Sequence, residues 1–328
     1  MLLRKAFMRG SVKWQVQEIF KRSGINRIGT GKHVAKTRAR SRLNADGKNA
    51  DWHNIGKKIG IHSYATADAY RDVWRQVASF AKSEFKVKDI EMLQGKHVQA
   101  YLESRIADSI AHATFMKEAA ACEKLEAALN GYAEFRQTGN SYDFTQNIKE
   151  VRSDAHIMLR RFEGSRAYED PERLVAAVKN PDHRLVARMQ YESGARISEC
   201  NHLKKKNLRG ILRDPITGKT KGVIYVTKAK GGLNGEKYLS PATYQTLESA
   251  VQVGDRFEFN KNMYRNSLRT AAEATGQRYN GSHGLRWNFA RQRFQAIQQS
   301  GYSYEKAMAQ VSVELMHQRA DITLHYLK

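Results

Sequence analysis

Tyr326, third from the end of this 328-residue sequence, follows His317 by nine positions in the segment His317-Gln318-Arg319-Ala320-Asp321-Ile322-Thr323-Leu324-His325-Tyr326. A phenolic oxygen can attack phosphorus. With a pKa near ~10 it is a weak nucleophile at neutral pH unless neighbours take its proton and stabilise the charge that forms. Three upstream segments hold candidate neighbours. Gly194-Ala195-Arg196-Ile197-Ser198-Glu199 sets an acid three residues after an arginine, Ser282-His283-Gly284-Leu285-Arg286 sets His283 and Arg286 three apart, and Lys230 precedes Gly231-Gly232. Three apart on a helix start means one face. A guanidinium is always charged and its planar fork can give two parallel hydrogen bonds to phosphate oxygens. Taken singly, these are a surface Arg–Glu pair, an exposed lysine and a helix-start pair. Their combination is what suggests phosphate chemistry.

The elements that must hold these groups follow from pattern. Val223-Ile224-Tyr225-Val226 alternates into a glycine-rich tip and Lys237-Tyr238-Leu239 returns, which predicts a hairpin bearing Lys230. Lys228 lies on the same side two residues earlier, and Lys237 is a more distant lysine; the place just before Gly231-Gly232 favours Lys230. Arg196 is expected to open a helix after the Gly194 turn, with Glu199 one turn on, and Asp321 to cap the short helix that carries Tyr326. Asp170-Pro171-Glu172 reads as another helix start, and after Pro241 the pattern is helical with breaks at Gly276 to Gly281 and at Gly301.

Upstream, residues 63–165 are free of proline and read as a small helical bundle. Tyr64, Tyr70, Val73, Trp74, Val77 and Phe80 form one stripe; Val98, Tyr101, Leu102, Ile106 and Ile110 a second; Leu125, Leu129 and Tyr132 a third. Residues 1–62 carry 15 Lys+Arg against Glu18, Asp46 and Asp51. They read as a basic arm in which Lys32, Lys36, Arg38, Arg40 and Arg42 contact phosphates, joined by Arg71 and Arg75 on the bundle. Three segments result: 1–62, 63–165 and a chemical domain at 166–328.

Charge points to the partner. The chain has 56 Lys+Arg against 33 Asp+Glu, a net +23, as expected for a protein that meets a nucleic acid. Without an apolar run of ~18 residues or a secretory signal, a cytoplasmic, nucleoid-associated protein is expected. Cys122 and Cys200 are too few for a disulfide framework or a cysteine zinc site and read as ordinary helical residues. Neither a metal nor a cofactor is implied.

The ordered set Arg196 and Glu199, Lys230, His283 and Arg286, His317 and Tyr326 resembles the tyrosine site-specific recombinases of the phage-integrase type. The match in order and spacing spans roughly residues 170–328. It implies a mainly α fold with a small β-hairpin or sheet: a helical core-binding (SAM-like) domain followed by a catalytic domain, together a C-shaped clamp. Two departures stand out: Leu315-Met316-His317 where Leu-Gly-His is usual, and Trp287 after Arg286 where a histidine is common. Only Leu327 and Lys328 follow the tyrosine, whereas many relatives dock a C-terminal tail on the neighbouring protomer. Coupling is then expected through other surfaces, unless the sequence is truncated.

The resemblance also implies roles. Arg196 and Arg286 would clamp the scissile phosphate, with Glu199 orienting Arg196. His317 would bind a phosphate oxygen, His283 would serve as acid or base, and Lys230 would protonate the departing 5′ oxygen. Tyr326 would form a 3′-phosphotyrosyl link, and a homotetramer on two double-stranded DNA sites would pass through a Holliday junction without ATP or metal, with a possible DNA-bending accessory protein. Integration or excision of a mobile element is the expected outcome. Two other readings stand beside this one: a type IB topoisomerase-like DNA relaxation enzyme, and a catalytically silent DNA-binding regulator.

Overall fold

Pro171, Pro181 and Pro241 each stand at the first position of a helix, where a missing N–H costs nothing. No proline precedes Pro171. The protein is described by a computed structural model over residues 10–227, 229, 233–317 and 321–327. It divides into two units, Met1–Phe162 and Glu163–Lys328. It is mainly helical with a small antiparallel sheet in the second unit.

The first unit runs α1 (Val12–Arg22), α2 (Lys32–Ala45), α3 (Trp52–Lys58), α4 (Tyr64–Phe85), α5 (Gly95–Ala107), α6 (His112–Arg136) and α7 (Thr145–Met158). Serine and aspartate start several of them: Ser11, Asp51 and Ser63 each accept a backbone N–H of the first turn. One core unites α1 with α4 to α7 around Phe20, Trp74, Phe115, Leu125 and Phe144. Each such side chain withdrawn from water contributes roughly 1.5–3 kcal/mol. The Trp74 indole N–H, buried with the ring, donates to Ala121 O at 2.7 Å. The predicted stripes lie in this core except Tyr64, which is exposed at the first position of α4, and Tyr70, Phe80 and Ile110, which are half-buried.

The arm expected over residues 1–62 is a different object. Val16, Ile19, Phe20, Ile25 and Ile61 belong to the bundle core, so α1 is a bundle helix. The stretch from Lys32 to Arg42, read as part of the basic arm, lies in α2. It packs on α3 through a small separate core of Ala39, Leu43 and Ile55. The Lys124 ammonium takes the carbonyls of Gly56 and Lys57 at the end of α3 and of Ile59 just beyond it, tying this pair to α6. The unit boundary falls after Phe162, three residues before the one predicted.

The second unit runs α8 (Pro171–Ala176), α9 (Pro181–Ser193), β1 (Leu203–Lys204), β2 (Leu208–Arg213), β3 (Thr220–Val226), β4 (Gly235–Leu239), α10 (Pro241–Gly254), β5 (Arg256–Phe257), α11 (Lys261–Ala274), α12 (Ser282–Gln299), α13 (Tyr304–Glu314) and α14 (Asp321–Leu327). β2, β3 and β4 form a three-stranded antiparallel sheet in that order, and β1 pairs with β5. The predicted hairpin is β3–β4, with Ile224 opposite Lys237 and Val226 opposite Gly235. β2 joins it although its sequence does not alternate.

One core of this unit lies among α8 to α11 and the sheet, and a second joins α12, α13 and α14 around Trp287, Phe289, Val311, Leu315 and Tyr326. Behind the second core, Arg293 of α12 donates to both carboxylate oxygens of Asp214 and of Glu314. This buried arginine ties the β2–β3 turn to the end of α13. Cys122 and Cys200 are both buried; Cys122 is helical as expected, but Cys200 lies in a bend.

Candidate active site

Gly194 ends α9 with φ 62°, a left-handed conformation, and a Cβ there would run into Phe289. The reversal delivers Arg196 into a turn rather than the predicted helix: the N–H groups of Glu199 and Cys200 both donate to Arg196 O. The Glu199 carboxylate receives the Arg196 backbone N–H at 2.9 Å and its guanidinium at 2.7 Å. Burial works to raise the pKa of this carboxyl. The Lys237 ammonium and the Arg196 hydrogen bonds outweigh burial and hold it below the usual carboxylate range. Glu199 is thus ionised and bonds both the backbone and the guanidinium of Arg196.

α12 presents His283 on its first turn and Arg286 one turn later. Arg286 is 0 % exposed, and it donates to the carbonyls of Gly194 and Leu315. A further N–H meets His317 Nε2 at 3.2 Å, while its Nε has no partner. Burial, followed by the nearby Arg196 charge, lowers its pKa to about 10, so it remains a cation at neutral pH.

His317 lies between Arg286 and Thr323, with Nδ1 3.1 Å from the Thr323 hydroxyl. Because Nε2 faces an arginine N–H, it accepts, and the ring proton belongs on Nδ1. Burial first, then Arg286 and Arg196, push the imidazole down to about 3, so the ring is neutral. In this arrangement His317 has no Nε2 proton for a phosphate oxygen; that expected contact requires the other tautomer.

The Tyr326 hydroxyl is 2.8 Å from His283 Nε2. Its ring is 6 % exposed, with the rings of Trp287 and His317 at 5.2 and 5.3 Å and the Arg286 guanidinium 5.9 Å from its centroid. Five predicted residues, Arg196, His283, Arg286, His317 and Tyr326, together with Glu199, therefore form one cluster. Lys230 and Lys228 lie outside the described residues, as does the capping side chain of Asp321.

Sequence reasoning gave Lys237 too little weight. It is 1 % exposed, its ammonium donates to Glu314 O, and burial followed by the Arg286 charge lowers its pKa to about 7. The available signal was strand alternation, which puts residue 237 on the same face as buried Leu239.

The predicted DNA-contacting residues differ in their surroundings. Arg71 is bonded to Asp68 and Gln17, and Arg75 to Asp72, so both are partly neutralised on their own helix. Lys32, Arg38 and Arg42 are exposed on α2, which contains no acid. Lys36 and Arg40 lie over the Trp52 ring at 4.9 and 5.2 Å. Arg38 and Arg42 line a cavity of about 740 Å³ with Arg27, Lys58 and His62. Among the described residues no helix is long and apolar enough to cross a membrane, and no group of three metal-ligating side chains occurs.

This architecture, a helical unit followed by a unit with a three-stranded sheet and a C-terminal tyrosine helix, is the fold of the tyrosine recombinases. The chain is similar to XerH site-specific recombinase bound to difH substrate in a pre-cleavage complex, with TM-score 0.58 and 14% identity over 97% of this chain and 92% of that one. It is also similar to the Tn1549 transposon integrase in complex with circular intermediate DNA, with TM-score 0.52 and 12% identity over 90% of this chain and 95% of that one. No protein-family model and no curated protein sequence matches it.

Proposed function

We propose that the protein is a tyrosine recombinase that cuts and rejoins duplex DNA through Tyr326. The observation that carries this reading is the 2.8 Å contact between the Tyr326 hydroxyl and His283 Nε2, beside two arginines on a strongly basic chain. A base within hydrogen-bond reach of a nucleophile is the first requirement of such chemistry.

His283 takes the phenolic proton as the tyrosine oxygen attacks phosphorus. The P–O bond to the 5′ carbon's oxygen breaks, a 3′-phosphotyrosyl bond forms, and a lysine returns a proton to the departing oxygen; Lys230 is the candidate. Arg196 and Arg286 offset the charge that accumulates on the non-bridging oxygens. Arg286 and Tyr326 are both buried, so a phosphodiester reaches them only after some of the packing around them opens. The link keeps the bond energy, and a 5′ hydroxyl from a second duplex reverses the step.

Strand exchange by a homotetramer through a Holliday junction, in integration or excision of a mobile element, is the corresponding biological role. A DNA-bending accessory protein and a place at the nucleoid fit that role. The test is covalent capture. Intact protein incubated with genomic DNA of its source and then denatured should retain 3′-linked DNA at specific positions, and Tyr326→Phe should retain none. Tight binding without an adduct would leave a DNA-binding regulator. Relaxation of supercoils without site preference would leave a topoisomerase.

A further inference from the structure

The last carbonyls of a helix have no partner inside it and must be satisfied from outside. At the end of α13 the Met316 N–H donates to Val313 O at 2.8 Å and the His317 N–H to Ser312 O at 2.9 Å. These are the paired bonds of a Schellman ending, which needs a left-handed residue just beyond the helix cap, usually glycine. Met316 fills that position with φ 52°. A side chain there is disfavoured, so the surroundings must hold it.

Two carbonyls remain, those of Glu314 and Leu315. Lys237 donates to the first and Arg286 to the second. Both cations are buried, and a cation is favoured at the negative end of a helix. A strand and a helix thus grip the turn from which His317 emerges.

We propose that Lys237 is a positioning residue of this site: its ammonium fixes the end of α13, permits a left-handed methionine at 316, and delivers the His317 ring to Arg286. The effect on activity rests on the recombinase reading, whereas the geometric effect does not. The competing role for a buried lysine is direct protonation of the leaving oxygen.

Three full-length variants separate these, read by amide hydrogen exchange without DNA and by covalent adduct on genomic DNA. Lys237→Met should speed exchange at Met316 and His317 by about tenfold or more, leave α12 unchanged, and lower adduct by at least about tenfold. Lys237→Arg keeps a donor but does not release a proton at neutral pH; it should keep wild-type exchange and adduct within about threefold. Adding Met316→Gly to Lys237→Met should restore slow exchange at His317, because glycine takes this conformation unaided.

Wild-type exchange at both amides in Lys237→Met would overturn the proposal. So would a Lys237→Arg protein with normal exchange but as little adduct as Lys237→Met, since the lysine would then be a proton donor. If Lys237→Arg does not fold, judged by its melting curve, failure of Met316→Gly to restore exchange overturns it instead. Absence of adduct even from wild type would refute the recombinase reading while the exchange data still judge Lys237.

Discussion

The Arg286 guanidinium donates to the carbonyl oxygen of Gly194, the residue that ends α9 two positions before Arg196. The two arginines expected on one phosphate are therefore linked by the fold itself. Replacing Arg286 by lysine keeps the charge but cannot serve Gly194, Leu315 and His317 together. Arg286→Lys should lower adduct formation by about 100-fold or more. A buried carbonyl left without its donor should cost roughly 1–3 kcal/mol, read from urea unfolding.

His283→Ala should slow adduct formation by roughly 10²–10⁴ while leaving duplex affinity near wild type, since it removes the proton acceptor beside the Tyr326 hydroxyl and neither arginine. Rapid-quench single-turnover assays on captured sites check this. An unchanged rate would remove His283 from proton transfer.

The neutral His317 makes a pH prediction. Its folded pKa of about 3 lies below the ordinary value of 6.5, so between these the unfolded chain binds the extra proton. Stability from this group is complete above about 6.5 and declines as pH falls toward 3. A His317→Gln variant should show a shallower loss over that window in urea midpoints measured at pH 7 and 4.5.

Salt dependence separates the basic residues of the first unit. Arg38 and Arg42 line a cavity whose one acid, Asp46, is 3.6 Å from the Lys48 ammonium, whereas Arg71 and Arg75 are occupied by Asp68 and Asp72. Arg38→Gln with Arg42→Gln should reduce the slope of log binding constant against log salt by about 2, roughly one per lost phosphate contact. Arg71→Gln with Arg75→Gln should leave the slope near wild type. Fluorescence anisotropy on a mixed-sequence duplex at several salt concentrations reads both.

Much of the site was legible because its local spacings map directly onto backbone geometry. His283 and Arg286 share a helix face, Arg196 and Glu199 close one turn, and the β3–β4 hairpin follows from alternation around glycines. The Asp68–Arg71 and Asp72–Arg75 pairs were equally visible as three-residue spacings, and they qualify the DNA contacts inferred from charge alone. Long-range packing was not legible. Nothing local in the sequence announces that α1 completes a core with α4, or that a lysine in a strand will cap a helix almost eighty residues away. The fold of the basic segment at Lys32 was hidden for another reason: α2 has few apolar positions, and its helicity is supported by packing on α3.

Tyr326 is also a core residue, seated against Trp287 in the cluster that joins α12, α13 and α14. On the proposed chemistry, a ring that moves out of this cluster toward phosphorus gives up those contacts. The linked form is then the less well packed one. The protein's own interior pulls like a spring toward rejoining, so a cut that finds no new partner is drawn back to the strand it came from.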